Sequence, residues 1–137
     1  MNKEKLIKIA IDNLKNSYAP YSNYNVSAAV IMSSGKVYTG VNVENASYPA
    51  GMCAERNAIF NAINCGEKKI LSITIVGGKN YCIKSYCSPC GICRQVIREF
   101  CNPEEVEIIL ARSVSDFNLF TLNKLLPLSF GPNSLLD

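Results

Sequence analysis

Two short apolar runs separated by a helix-like segment constrain the fold of this chain more than any other feature. Residues 70–76 are mostly apolar and lead into Gly77-Gly78, and residues 106–111 form a second run of the same kind. Between them, Ser88-Pro89 introduces a segment over residues 90–100 that resembles a capped helix. A strand, a helix and a strand in this order predict a right-handed parallel crossover. The chain is therefore expected to contain a sheet that is at least partly parallel.

The first half of the chain predicts two more helices and a hairpin. Apolar residues recur at helical spacing over residues 6–14 and 54–63, and Gly66 suits the carboxyl-terminal cap of the second helix. Residues 26–32 form an apolar run, and residues 37–43 are rich in β-branched and aromatic residues. The two segments flank a Ser-Ser-Gly-Lys turn, which favours a hairpin. These elements predict a single mixed sheet covered by helices.

The carboxyl-terminal part of the chain is less regular. Leu119, Leu122, Leu125 and Leu126 precede Pro127, a pattern that predicts a last short helix or a strand-to-turn segment. The sequence contains no repeat, low-complexity tract or linker rich in Pro or Gly. We therefore predict one domain over residues 1–137.

Charge and composition exclude several classes of protein. Fourteen Lys and Arg residues against eleven Asp and Glu residues give a net charge of +3, too small a surplus for a phosphate-tracking surface. No apolar run is long enough to span a membrane, and the amino terminus lacks a signal-peptide pattern. We therefore expect a cytoplasmic protein that binds neither nucleic acid nor membrane. The seven cysteines then favour metal binding over a disulfide framework.

Three cysteines and one glutamate have the spacing of a catalytic metal site. Cys90 and Cys93 share one helix face, and Cys53 begins another helix, so three sulfurs could meet where the helix amino termini converge. Helix amino termini favour the thiolate form that binds metals. Three protein ligands leave the fourth position of tetrahedral zinc for water. Glu55 lies two residues after Cys53, so it would lie beside that water without binding the metal. The chain contains no His, so a carboxyl group such as Glu55 would carry the proton.

The cysteine spacing leaves two other metal sites open. Cys87, Cys90 and Cys93 form a Cys-x-x-Cys-x-x-Cys run that resembles the start of an iron–sulfur ligand set, although the fourth position is Ile97. Cys87 could instead close a four-sulfur structural zinc site with the other three. Ser88-Pro89 favours the three-sulfur site, because it directs the chain between Cys87 and the helix. Cys87 is then expected to lie outside the helix face that Cys90 and Cys93 share.

Five segments in the same order resemble the small homotetrameric cytidine deaminases. They are Tyr21-Ser22-Asn23-Tyr24-Asn25-Val26, Gly40-Val41-Asn42-Val43-Glu44-Asn45-Ala46-Ser47-Tyr48, Cys53-Ala54-Glu55-Arg56, Ser88-Pro89-Cys90-Gly91-Ile92-Cys93-Arg94-Gln95 and Leu125-Leu126-Pro127-Leu128-Ser129-Phe130. Zinc deaminases include a three-cysteine variant with a non-ligand Glu. The resemblance implies a three-layer α-β-α fold with a mixed five-stranded sheet of the cytidine deaminase-like type.

The resemblance also implies a reaction and its machinery. Cytidine and 2′-deoxycytidine would be hydrolysed to uridine and 2′-deoxyuridine with release of ammonia, a step of pyrimidine salvage. One Zn²⁺ per subunit, held by Cys53, Cys90 and Cys93, would activate water, and Glu55 would shuttle the proton. Arg56, through hydrogen bonds to the sulfurs, and Gln95 would support this site.

The family pattern further implies how the nucleoside is bound. Asn42 and Glu44 would contact the ribose hydroxyls, and the Ala54 amide would bind the base carbonyl. Tyr24 would pack beside the nucleoside, although Phe is more usual there, and Phe130 would reach the base from a neighbouring subunit of a homotetramer. The alternatives are a related deaminase of another aminopyrimidine nucleoside, such as a blasticidin-like one, and a non-catalytic zinc-binding module.

Overall fold

A five-stranded mixed sheet forms the centre of the computed structural model, which describes residues 1–136. The strands are β1 (Tyr24–Met32), β2 (Val37–Val41), β3 (Ile70–Lys79), β4 (Glu107–Ser113) and β5 (Asp116–Phe120). They lie in the order β2-β1-β3-β4-β5. β3 and β4 pair in parallel, with Ile73 opposite Ile108, and the other neighbours pair antiparallel. The predicted hairpin and the predicted parallel pair are both confirmed.

Helices cover both faces of the sheet. They are α1 (Lys3–Asn13), α2 (Ala54–Asn64), α3 (Gly91–Glu99), α4 (Leu122–Leu125) and α5 (Asn133–Leu136). α1 packs its buried Leu6, Ile7 and Ala10 on one face, whereas α2 and α3 pack on the other. This arrangement confirms the predicted three-layer α-β-α fold. Across residues 1–136, every helix is too short or too polar to cross a membrane.

The two apolar cores follow the alternation of side chains along the strands. In β3, Ile73 and Ile75 belong to the core beneath α2 and α3, and Val76 belongs to the core beneath α1. Each of these side chains is fully buried, which contributes roughly 1.5–3 kcal/mol per side chain to folding. The larger core anchors α2 and α3, the two helices whose amino termini carry the site residues.

β2 approaches α2 so closely that only a glycine fits at position 40. A Cβ atom on Gly40 would lie 2.3 Å from the Ala58 amide nitrogen and 2.6 Å from the Ala54 carbonyl oxygen. Ala54, Ala58 and Ala62 are themselves fully buried, so small residues line the contact from the helix side. The missing side chain at Gly40 thus sets how deeply α2 lies against the sheet.

Several boundaries differ from those predicted from the sequence, most of all at the end of β3 and in the carboxyl-terminal part. β3 continues through Gly77 and Gly78 to Lys79, because glycine allows neighbouring chain to approach the strand there. A Cβ atom on Gly77 would lie 3.0 Å from Cys87 Sγ, and one on Gly78 would lie 1.9 Å from the Cys82 carbonyl oxygen. In the carboxyl-terminal part, Leu119 belongs to the edge strand β5, and only Leu122–Leu125 is helical.

Candidate active site

Three cysteine sulfurs meet where α2 and α3 begin. Cys53 and Cys90 are the residues immediately before the two helices, and Cys93 lies in the first turn of α3. The three Sγ atoms all lie within 4.8 Å of one another, and those of Cys53 and Cys90 are 3.9 Å apart. In the part of the chain that the structure describes, this is the only group of three or more Cys, Asp and Glu side chains so placed. The convergence predicted from the sequence is therefore present.

The geometry of the three sulfurs fits zinc. A tetrahedral Zn²⁺ with Zn–S bonds of about 2.3 Å requires sulfurs about 3.8 Å apart, close to the distance between Cys53 and Cys90. Soft thiolates are ligands that zinc prefers. Cys87 is not part of the group. The structure therefore favours an open three-sulfur site over the four-sulfur site that the spacing had left open.

Arg56 stabilises negative charge on the sulfur cluster. Its Nη2 donates a hydrogen bond to Cys53 Sγ at 3.2 Å, as the sequence predicted for this arginine. A hydrogen bond from the Cys93 thiol, together with Arg56, lowers the pKa of Cys53 to about 5. The Cys93 pKa is raised in turn, because that thiol retains the shared proton. At least one of the sulfurs is thus a thiolate at neutral pH and ready to bind a cation.

Glu55 is a buried carboxyl group next to this cluster. It is only 4% exposed, in the first turn of α2. Burial is the main cause that raises the Glu55 pKa to about 7, and the charge of Cys53 adds to it. A carboxyl group that titrates near neutral pH can both accept and release a proton during a reaction. The structure thus brings Glu55 and the sulfurs together, as expected from the sequence.

A cavity of about 470 Å³ opens beside Cys53. Its volume lies within the usual range for small-molecule sites, about 300–1,000 Å³. It is lined by Tyr21, Ser22, Asn42, Val43, Glu44, Asn45, Tyr48, Gly51, Met52, Cys53 and Arg56. Two predicted substrate contacts, Asn42 and Glu44, therefore lie in the same cavity as a predicted metal ligand and its supporting arginine.

Three hydrogen bonds fix the orientation of the Asn42 side chain. Oδ1 accepts hydrogen bonds from the Val26 amide at 2.9 Å and from the Ser17 hydroxyl. Nδ2 donates to the Tyr24 carbonyl oxygen at 2.8 Å. Because an amide nitrogen has two protons, one N–H of Asn42 stays available to a ligand. Asn42 can therefore offer a ligand a hydrogen-bond donor.

The other predicted contacts lie outside this cavity in the single chain. Ala54 is fully buried at the first position of α2, between Cys53 and Glu55. Tyr24 is 37% exposed at the start of β1, with its hydroxyl beside the Cys87 thiol. Phe130 is 59% exposed in the carboxyl-terminal segment. The structure thus brings neither Tyr24 nor Phe130 to the lining of the cavity.

Residues of α3 hold the carboxyl-terminal segment in place. Gln95 Nε2 donates to the Phe130 carbonyl oxygen at 2.9 Å, and Arg98 Nε donates to Ser129 Oγ at 2.8 Å. Gln95, predicted as a supporting residue, therefore contacts the segment that carries Phe130. Phe130 itself belongs to neither apolar core of the chain.

Arg94 is a structural anchor that connects the metal-site loop to α4. Its guanidinium group donates to the Pro89 carbonyl oxygen at 2.8 Å, the Leu125 carbonyl oxygen at 2.6 Å and Ser88 Oγ at 2.9 Å. We expect Arg94→Ala to lower the free energy of unfolding by about 2–4 kcal/mol, because three charge-assisted hydrogen bonds are lost. Urea unfolding at a fixed protein concentration measures this change.

The control for Arg94→Ala is Lys8→Ala, which removes an exposed ion pair with Asp12. Such pairs contribute little, so the control should change the free energy of unfolding by less than about 0.5 kcal/mol. If Arg94→Ala changed stability as little as the control, its hydrogen bonds would not hold the loop.

Sequence reasoning assigned no role to several residues of the cavity. Tyr21 and Tyr48 form an aromatic pair at its edge, with ring centroids 6.1 Å apart. Ser22 donates a hydrogen bond to Glu44. Tyr21, Ser22 and Tyr48 lie in segments that resemble the family, but their spacing carries no signal for a contact across the cavity.

The fold and the site together define a class, the α/β proteins with a three-cysteine metal site beside a buried glutamate. Comparison with known proteins gives the particular family. Residues 1–109 match the model of the cytidine and deoxycytidylate deaminase zinc-binding region. The chain belongs to this family of zinc-binding deaminases.

Full-length relatives and solved structures agree with this assignment. A cytidine deaminase of Halalkalibacterium halodurans is 38% identical over all of both chains, and one of Mycoplasma genitalium is 35% identical over 92% of this chain and 93% of its own. The crystal structure of cytidine deaminase from Burkholderia pseudomallei is 39% identical, with a TM-score of 0.85, over 95% of this chain and all of its own. The crystal structure of cytidine deaminase from Mycobacterium tuberculosis is 33% identical, with a TM-score of 0.81, over 96% of this chain and 98% of its own.

Proposed function

We propose that this protein hydrolyses cytidine and 2′-deoxycytidine to uridine and 2′-deoxyuridine, with release of ammonia, and so acts in pyrimidine salvage. The observation that carries the proposal is the cluster of three sulfurs next to a buried carboxyl group and a cavity. Three thiolates from Cys53, Cys90 and Cys93 would hold one zinc ion per subunit. The bound ion would supply a Lewis acid that activates water.

Glu55 is the proposed proton carrier. Its buried carboxylate would accept a proton from the attacking water and deliver it to N3 of the cytosine ring. The water oxygen would form a bond to C4, and Glu55 would then carry the second proton from the new C4 hydroxyl to the amino group. The C4–N bond would break as the C4 carbonyl forms, so that water and cytidine yield uridine and ammonia. Burial supports this role, because it raises the Glu55 pKa to about 7. Arg56 would stabilise the thiolate charge through its contact with Cys53.

The cavity supplies the proposed contacts to the nucleoside. Asn42 would donate its free N–H to a ribose hydroxyl, and the Glu44 carboxylate would accept a hydrogen bond from one. The Ala54 amide, at the amino terminus of α2, would bind the base carbonyl. Tyr24 would pack beside the nucleoside.

Phe130 supports a proposal about assembly. The side chain is exposed, and Gln95 fixes its backbone, so it is available to the base in the site of another copy. We propose a homotetramer in which each site includes Phe130 of a neighbouring subunit, with residues 1–137 as one domain. A cytoplasmic location and the absence of nucleic-acid binding stay predictions from the sequence.

An ultraviolet assay on the zinc-loaded protein tests the proposed function. Cytidine and 2′-deoxycytidine should lose absorbance as they are deaminated, with one ammonia released per nucleoside. Free cytosine should react at least about a hundredfold more slowly, because it lacks the sugar on which Asn42 and Glu44 would act. Zinc-loaded protein that released no ammonia from either nucleoside would be a deaminase of another aminopyrimidine nucleoside or a non-catalytic zinc-binding module.

A further inference from the structure

The Glu44 carboxylate is held by three hydrogen-bond donors from one turn. Its Oε1 accepts from the backbone amides of Tyr21 at 3.0 Å and Ser22 at 3.1 Å. Its Oε2 accepts from the Ser22 hydroxyl. Asn23 closes this turn at a φ of 56°, a left-handed conformation that asparagine adopts more readily than most residues. The turn therefore presents its donors to one side chain 22 residues further along the chain.

The Ser22 hydroxyl can donate in only one direction. Its oxygen accepts a hydrogen bond from the Tyr24 amide at 3.0 Å, and its single proton goes to Glu44. The two carboxylate oxygens have about four acceptor positions, of which the turn occupies three. One position is thus left for a donor that enters the cavity, which both Ser22 and Glu44 line.

We propose that Ser22 is a positioning residue that orients the Glu44 carboxylate to accept a hydrogen bond from the 2′- or 3′-hydroxyl of the ribose, an inference that rests on the proposed function. The charge on Glu44 agrees with this role. The hydrogen bond from Ser22 is the main cause that lowers the Glu44 pKa below its usual value. Without the Ser22 hydroxyl, the Glu44 carboxylate would keep its two backbone donors but lose the donor that fixes Oε2.

Ser34 provides a matched control elsewhere on the surface. Its hydroxyl donates to Glu67 Oε2 at 2.7 Å and accepts from the Lys36 amide at 3.2 Å, the same pattern that Ser22 forms with Glu44 and Tyr24. Ser34 and Glu67 lie outside the cavity lining. Ser34→Ala therefore removes an equivalent hydrogen bond without touching the site.

The kinetic test compares Ser22→Ala, Ser22→Thr and Ser34→Ala on cytidine and on 2′,3′-dideoxycytidine. Ser22→Ala should raise the KM for cytidine by about five- to tenfold with kcat within about twofold, because it weakens binding far from the reacting carbon. Ser22→Thr, which keeps the hydroxyl, should restore the KM, and Ser34→Ala should not change it. On the dideoxynucleoside, which lacks the 2′- and 3′-hydroxyls, Ser22→Ala and the parent should have the same KM. An equal rise in KM for cytidine and for the dideoxynucleoside in Ser22→Ala would overturn the proposal.

A titration tests the inference independently of turnover. Carbon-13 NMR of labelled glutamate carboxyl groups, with Glu44 assigned from Glu44→Gln, should give a Glu44 pKa that rises in Ser22→Ala and is unchanged in Ser34→Ala. The ionised form loses a donor only in the first variant, so its pKa rises. An unchanged Glu44 pKa in Ser22→Ala would refute the proposed role of Ser22. If the parent did not deaminate cytidine, the proposed function would fail, whereas this titration would still decide whether Ser22 holds Glu44.

Discussion

Glu55→Gln should lower kcat for cytidine by about 10³- to 10⁴-fold while the protein keeps its zinc. The amide has the shape of the carboxyl group but cannot accept and release a proton, so both proposed proton transfers lose their carrier. Glu55 is 4% exposed, so rescue by solvent should be small. Ammonia release under saturating cytidine measures the change.

Two measurements separate a chemical effect from a structural one. Zinc content and the circular dichroism spectrum of Glu55→Gln should match those of the parent, because Gln occupies the same volume. Glu99→Gln is the control, since Glu99 is exposed near the end of α3, the helix that carries Cys93. The control should keep its activity. A Glu55→Gln protein with turnover within tenfold of the parent would show that Glu55 does not carry the proton.

Cys90→Ala should lose zinc and, with it, activity. Removal of one thiolate leaves two sulfurs, and structural zinc sites bind with about 10–16 kcal/mol shared among four ligands, so zinc affinity should fall at least about a hundredfold. Activity at a fixed low concentration of free zinc should fall in parallel. Zinc per chain, measured with a chromophoric chelator after dialysis, gives the stoichiometry directly.

Cys87→Ala and Cys65→Ala are the controls for zinc binding. Cys87 lies three residues before Cys90 but outside the sulfur group, and Cys65 lies at the far end of α2. Both variants should retain one zinc per chain. Loss of zinc from Cys87→Ala would instead indicate a four-sulfur site, with no coordination position left for water.

The parts of the fold with strong local signals were predictable. Residues 70–76 and 106–111 are mostly apolar because β3 and β4 lie inside the sheet and are covered on both faces, so the composition of these segments indicates their burial. A fifth strand was expected from the resemblance, but its range could not be predicted, because β5 is an edge strand in which Asn118 and Leu119 are both exposed. Its position depends on backbone pairing with β4, which leaves no periodic signal in the side chains.

The residues of the site that lie at the starts of helices could be predicted from the sequence. Cys53, Glu55, Cys90 and Cys93 could be placed because spacing on a helix fixes which side chains share a face. Asn42, Glu44, Tyr24 and Phe130 were assigned from the family resemblance, and only the first two lie in the cavity. The Ser22 contact could not be predicted, because it joins residues 22 positions apart through the shape of a turn.

The absent side chain at Gly40 has a consequence for how this protein could diverge. Even one added methyl group would push α2 outward and carry Cys53 and Glu55 with it, although Gly40 itself takes no part in the proposed chemistry. A deep mutational scan selected for growth on cytidine should therefore find position 40 as intolerant as the residues around the metal. Laboratory evolution toward bulkier nucleosides should accept more substitutions at the edge of the cavity, where Tyr48 is 76% exposed.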